Sequence, residues 1–234
     1  VCRAYNLPCI SGKDSMKNDA TLHGEKISIP PTILFSLIGN HSDVRKAVSS
    51  DFKSPGDRIY LCGQTHQELG ASELAFMLRD ESNGASGIGG RVPEIDTERN
   101  LAMYRALTKA MSSGLVASAH DCSDGGLAAA LAECCFGSDS GANTNIHPIM
   151  SDCNEIDAWG ALFGESLGRI LVSVKPENQI EFENSMRGHS CYALGTVEEG
   201  DNISITNGED ILISSSMNDL RNAWKGTLDG GGEQ

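Results

Sequence analysis

Short apolar runs of strand length alternate with segments of helical periodicity through most of this chain, and that alternation limits its architecture more than any other feature. The strand candidates are "PCIS", the run inside "IPPTILFSLIGN", "RIYLCG", "LVASA", "GRILVSV", "CYALGTV" and the segments of "NISITNGEDILIS". Between them stand helix candidates. "SELAFMLRD" begins at Ser72, a residue suited to capping a helix N-terminus. Residues 97–113 place Leu101, Tyr104, Leu107, Thr108 and Met111 at helical spacing, with Gly114 as the stop. Leu127, Ala130, Leu131, Cys134 and Cys135 form another stripe, and "IDAWGALF", "PENQIEFENSMRG" and "SMNDLRNAW" complete the set. Such a series predicts an α/β or α+β fold, a mixed sheet covered by helices. "ESNGASGIGGRVPEID", residues 81–96, reads as a Gly/Ser-rich loop.

At 234 residues the chain is long enough for a sizeable core. Its 18 basic residues face 32 acidic ones, a formal charge of -14, so nucleic acid and anionic membranes are poor partners. Eight cysteines lie mostly in apolar runs and none forms a C-x-x-C pair, which predicts reduced thiols in a cytoplasmic protein. The sequence has no 18-residue apolar span and no signal-peptide pattern. It opens on Val1 within "VCRAYNLPCISGKDSM", which reads as the start of an excised domain.

"VASAHDCSDGG", residues 116–126, concentrates the chemistry. A short apolar strand delivers His120, Asp121, Ser123 and Asp124 to a glycine pair, Gly125 and Gly126, and then to a helix. A helix N-terminus offers unpaired N–H groups to phosphate oxygens, and a strand-end aspartate suits Mg2+. Those are the parts of a metal–nucleotide site. The plainer reading is that Ser123 or Asp124 caps the helix and the glycines pack closely. Spacing alone leaves both open.

Other motifs are weaker. "SGKDSM" holds Gly12 and Lys13, but Leu7 and Asp14 break the P-loop pattern. "GESLG", residues 164–168, matches the nucleophile-elbow formula, yet a helix-like segment precedes it and a strand follows, the reverse of what an elbow needs. "GASGIGG" fails the dinucleotide fingerprint because Val92 replaces the last glycine. The six histidines show no metal-ligand spacing.

Taken in order, "PCISGKDSM", "IPPTILFSLIG", "LGASEL", "SAHDCSDGGLAAALAE" and "LFGESLGRILVSV" resemble the formylglycinamidine ribonucleotide synthase family of the AIR-synthase-like superfamily. The resemblance runs from about residue 5 to 200. It implies that residues 1–25 end the second N-terminal domain, 26–215 form the second C-terminal domain, and 216–234 are a helix and tail. It also implies nucleotide or substrate contacts by Gly12, Lys13, Ser15, Ser123, Gly125, Gly126, Glu165 and Ser166, with Asp121 as the Mg2+ ligand. Lys13 stands where small members of the family carry a metal-binding Asn. No catalytic residue is expected here, because the family's catalytic histidine belongs to the first N-terminal domain.

The implied cofactors are Mg2+ and ATP or ADP, and the implied partners are formylglycinamide ribonucleotide, the remaining AIR-synthase-like domains and a glutaminase domain or subunit. The reaction would be an ATP-dependent ligation that converts the formamide to the amidine with glutamine-derived ammonia. Another ATP-using member of the superfamily, or a non-catalytic scaffold half, are the alternatives. The apolar residues of 1–10 predict a weak homodimer.

Overall fold

The computed structural model describes residues 1–13, 19–28, 32–79, 90–153 and 155–226. Most of the 81–96 loop and all of Asp14–Ser15 therefore lie outside the described residues. The chain parts into two compact units, Val1–Ala47 and Val48–Gln234. The boundary expected after residue 25 falls inside the first of them.

The first unit holds a one-turn helix α1 (Cys2–Tyr5) and a hairpin of β1 (Ala20–Leu22) with β2 (Glu25–Ile27). His23 and Gly24 turn the hairpin with φ of 53° and 85°, the positive values a tight two-residue turn requires. Neither "PCIS" nor the described part of "IPPTILFSLIGN" forms a strand. A run of apolar residues becomes a strand when a neighbour completes its hydrogen-bond ladder, and the described residues of this unit supply none for 32–39.

The second unit is a seven-stranded mixed sheet. Its strands are β3 (Arg58–Cys62), β4 (Ser118–Asp121), β5 (Ser140–Asn145), β6 (Ile170–Val174), β7 (Cys191–Glu199), β8 (Asn202–Asn207) and β9 (Asp210–Ser216). They lie in the order β4-β6-β3-β7-β5-β8-β9. All neighbours are antiparallel except β5 and β8. β3 and β6 read as continuous apolar runs because helices cover both faces of the sheet.

One face carries Ile59, Leu61 and Leu171 against α4 (Gly126–Phe136), α5 (His147–Asp152), α6 (Ala158–Phe163) and α8 (Met217–Gly226). The other carries Tyr60, Cys62, Val172 and Val174 against α3 (Thr97–Ser112) and α7 (Gln179–Ser185). A shorter helix, α2 (Glu73–Met77), starts from Ser72, whose Oγ accepts the Ala75 N–H at 3.2 Å as the sequence predicts.

Two further expectations need correction. The buried stripe of α3 is Asn100, Met103, Leu107 and Ala110, one residue off the predicted set except at Leu107. The strand predicted as "LVASA" is Ser118–Asp121, so Leu115 and Val116 pack in the core ahead of the ladder.

Candidate functional site

β4 is an edge strand paired with β6, and His120 and Asp121 are its last ladder residues. The chain then turns directly into α4, which places both side chains where the strand meets a helix N-terminus. Asp121 keeps 65% of its side chain exposed. The Ser123 hydroxyl donates to its Oδ2, and that bond holds the Asp121 carboxyl below the usual carboxylate range. At neutral pH this is an ionised, solvent-facing carboxylate. His120 is pinned beside it. Its Nε2 donates to Glu133 Oε2 at 2.8 Å, since a carboxylate accepts, and its Nδ1 lies 3.5 Å from Asp121 Oδ1.

Neither Ser123 nor Asp124 caps α4. The N-cap is Gly125, with no side-chain cap of its own. Its N–H donates instead to Glu165 Oε1 at 3.0 Å, and the same oxygen accepts the Glu73 N–H at 2.9 Å. One carboxylate thus joins the first turns of α4 and α2, where partial positive charge favours it. Sequence reasoning gave Glu165 a ligand contact and missed this role. A carboxylate forty positions away leaves no local spacing signal.

The glycine pair also has a packing cause. Gly126 has a φ of 68°, and a Cβ there would meet the Gly164 oxygen at 2.6 Å and the Leu162 oxygen at 2.8 Å. Only glycine lets α4 start this close to the end of α6.

Ser166 is 1% exposed. Its Oγ accepts the His66 N–H at 3.0 Å and donates to the His66 carbonyl at 3.4 Å. Because α6 precedes it and β6 follows, the G-x-S-x-G match has no strand–turn–helix context and no imidazole on its hydroxyl. The nucleophile-elbow match fails on both counts. Gly168, at φ 87°, lies against Asn100 and Tyr104 of α3, leaving no space for a Cβ.

Beneath this segment lie two charged groups that sequence reasoning did not single out. Arg169 is 1% exposed, and its guanidinium donates to the Gly164 and Ser166 carbonyls and to Thr65 Oγ1. Burial draws its pKa down, while Cys122, Glu68 and Glu165 act in the opposite sense. Glu68 is fully buried, and its Oε1 accepts the Glu94 N–H at 3.1 Å with Arg91 Nε 3.9 Å away. Its Oε2 has no partner among the described residues. Neither type of residue is buried by habit, so no periodicity announces them.

The expected site residues divide between the units. Asp121, Ser123, Gly125, Gly126, Glu165 and Ser166 belong to the second, where Gly125 and Glu165 meet directly. Gly12 and Lys13 are exposed residues of the first, and Ser15 lies outside the described residues. Among the described residues no group of three His, Cys, Asp or Glu side chains is placed to hold a metal ion by itself. A single exposed carboxylate suits Mg2+, which keeps several waters and completes its shell with phosphate oxygens. No helix among the described residues is long and apolar enough to cross a membrane.

The chain is similar to solved structures of Thermotoga maritima PurL. The form complexed with FGAR matches at 19% identity and a TM-score of 0.65, over 75% of this chain and 29% of that one. The form complexed with ATP matches at 20% identity and 0.58, over 74% and 27%. Escherichia coli HypE, a hydrogenase maturation protein, matches at 13% identity and 0.50, over 73% and 51%. These likenesses establish the fold, and this chain spans less than a third of the PurL chains. The family described as "AIR synthase related protein, C-terminal domain" matches residues 54–207, which hold β3 to β8 and α2 to α7, and this chain belongs to that family.

Proposed function

We propose that this chain supplies the second AIR-synthase-like C-terminal domain of a formylglycinamidine ribonucleotide synthase, with residues 1–25 ending the preceding N-terminal domain. The parent enzyme would use ATP to activate the formamide oxygen of formylglycinamide ribonucleotide. Ammonia, delivered by a glutaminase domain or subunit, would then displace phosphate to leave the amidine. The ammonia-consuming chemistry lies in other domains. This domain contributes part of a nucleotide–Mg2+ site and no catalytic residue.

The observation that carries the reading is the Asp121–Ser123 pair. It is an ionised carboxylate, exposed, at the end of an edge strand and beside a helix start in this family's fold. Asp121 would hold the cation, which neutralises phosphate charge when bound. Ser123 keeps the carboxylate ionised and oriented. Glu165 occupies the N–H groups of Gly125 and Glu73 and so fixes the starts of α4 and α2 around the site. The "GKDS" match adds Gly12, Lys13 and Ser15 as further nucleotide contacts of the parent enzyme.

The test is Asp121→Asn in the full-length parent. Mg-nucleotide affinity should fall about tenfold or more, the loss of one charge-bearing ligand, while the melting temperature moves by less than about 2 °C. A sharp drop in melting temperature with unchanged affinity would make Asp121 a structural residue. The likeness to HypE favours a second reading, another ATP-using member of the superfamily. Assaying the parent with formylglycinamide ribonucleotide separates the two.

A further inference from the structure

We propose that Cys62 and Cys191 are a dithiol that hydroperoxides convert reversibly to a disulfide joining β3 to β7. The two residues are register partners, and their sulfur atoms stand 3.6 Å apart. The Gly63 N–H donates to the Ser190 carbonyl at 2.9 Å, so the ladder bond belongs to the residues beside them. Cys62 and Cys191 therefore face each other as a non-hydrogen-bonded antiparallel pair. At such positions the Cα atoms approach to about 4.5 Å, inside the range of roughly 4.4–6.8 Å that disulfides span. Closing the sulfur gap to about 2.05 Å asks for side-chain rotation and no movement of the strands.

The pair is also asymmetric. Cys62 is fully buried and Cys191 is half-buried. A cleft of about 210 Å3, lined by Gly63, Gln64, Arg99, Asn100, His189 and Ser190, reaches the neighbour of each cysteine. Cys191 is thus the sulfur an oxidant meets first. Its thiolate attacks one oxygen of hydrogen peroxide, the O–O bond breaks, and the departing hydroxide leaves as water after protonation. Cys191 is then a sulfenic acid. Cys62 attacks that sulfur, and the Cys62 proton leaves with the sulfenic hydroxyl as a second water. Two thiols and one peroxide give a disulfide and two waters. The hydrogen bond to Cys191, together with burial, keeps Cys62 protonated well above the ordinary range, which reserves it for this second step.

A rival pair exists in the first unit, where Cys2 and Cys9 sulfurs are 3.8 Å apart. No strand ladder holds those two in register, since α1 is a single turn. The bond between Cys62 and Cys191 would span 129 positions and tie down the root of the segment carrying His66 and Glu68.

The experiment treats the reduced full chain with hydrogen peroxide, blocks remaining thiols with N-ethylmaleimide, and maps the digest by mass spectrometry without reductant. The Cys62 peptide should be joined to the Cys191 peptide, the link should vanish with a phosphine reductant, and the melting temperature should rise by on the order of 5–10 °C while it persists. Cys191→Ser should lose that link and keep any Cys2–Cys9 link. Cross-linking confined to Cys2–Cys9, or over-oxidation of Cys191 with Cys62 still alkylated after denaturation, overturns the proposal. The map of the unsubstituted chain decides the matter even if the variant fails to fold.

Discussion

Two apolar runs that look alike in sequence end in opposite surroundings. In the second unit, Ile59, Leu61 and Cys62 of β3 are wholly buried. In the first, Ile33, Leu34, Phe35, Leu37 and Ile38 are 74–88% exposed, and none of the described residues of 1–47 is buried. The compositions barely differ; the neighbours do. β3 has β6 and β7 on its two edges and helices over both faces. The 33–38 run has no strand beside it among the described residues of its own unit. Burying an aliphatic or aromatic side chain contributes about 1.5–3 kcal/mol, so β3 gains a large term that 33–38 forgoes. Hydrophobicity is a demand for a partner, and only the second unit meets that demand within itself.

The sharpest way to break this comparison is to cut a cavity in each unit. Leu131, on α4, is fully buried in the larger core. Leu131→Ala should cost about 3–5 kcal/mol in chemical denaturation, the range for truncating a packed leucine. Leu34→Ala should change stability by no more than about 0.5 kcal/mol, as exposed substitutions do. Equal costs at the two positions would mean that the 33–38 run is packed in solution.

Thiol chemistry reads the same contrast without mutation. Burial pushes Cys122 up to about 11 and Cys135 up to about 12, and raises Cys134 as well. At pH 8 such a group is about a thousandth thiolate or less, some two-hundredfold below an unperturbed thiol near 8.5. Cys9 is exposed, with its pKa raised by the hydrogen bond it donates to Cys2 rather than by a core. Iodoacetamide under reducing conditions should therefore modify Cys9 long before Cys122, Cys134 or Cys135, on the order of a hundredfold faster. Adding denaturant should erase the difference. Early labelling of Cys134 would show that the core opens readily.

The legibility of the chain follows the same physics. α4 was readable because Leu127, Ala130, Leu131, Cys134 and Cys135 are all apolar and all buried, so pattern and packing coincide. β3 and β6 were readable for the same reason. β5 was not. Its sequence, Ser-Gly-Ala-Asn-Thr-Asn, has the composition of a loop, yet it lies between β7 and β8 with four of six residues buried. Backbone crowding explains the choice: Cβ atoms at Gly141 and Gly195 would collide with the carbonyls of Asn202 and Asn143. The buried side of α3 was misplaced because Asn100 belongs to it, held by the Leu167 carbonyl at 3.4 Å, and a polar residue breaks the stripe. At the site, the neighbours Asp121 and Ser123 announce each other. The Glu165 cap and the Arg169 and Glu68 side chains arise from chain segments that meet only on folding.

Removing the first unit should have a smaller effect than either core test. A chain beginning at Val48 keeps both apolar clusters almost intact, since among the described residues every buried apolar one lies beyond that point. Its melting temperature should stay within about 3 °C of the full chain, and its near-ultraviolet circular dichroism should be unchanged. Its tendency to self-associate should fall, because the exposed 33–38 run goes with the deleted segment. Sedimentation of the two chains at matched concentration measures that. A cooperative transition lost on truncation would show that the second unit does not stand alone.

The smallest effect lies at a place in the second unit that behaves like surface. Asp121 is mostly exposed, and its carboxyl sits below the ordinary range chiefly because Ser123 donates to it. A depressed folded-state pKa gives a stabilising contribution that is complete above the unfolded value near 3.9 and fades as pH falls through the folded value. The window is therefore acidic, and neutral pH lies outside it. Ser123→Ala removes the largest cause of the shift while leaving His120 beside the carboxylate. The Asp121 pKa, followed by carboxyl carbon resonances, should rise toward the ordinary value. Exposure and solvent screening keep the stability change to a few tenths of a kcal/mol, present at pH 7 and fading as pH falls through the folded-state value. The variant should also leave the Glu165 contacts with Gly125 and Glu73 in place, because those depend on backbone N–H groups that Ser123 does not touch. A loss of several kcal/mol at neutral pH would put Ser123 among the residues that hold α4, and would move the end of β4 from the surface side of the comparison to the core side.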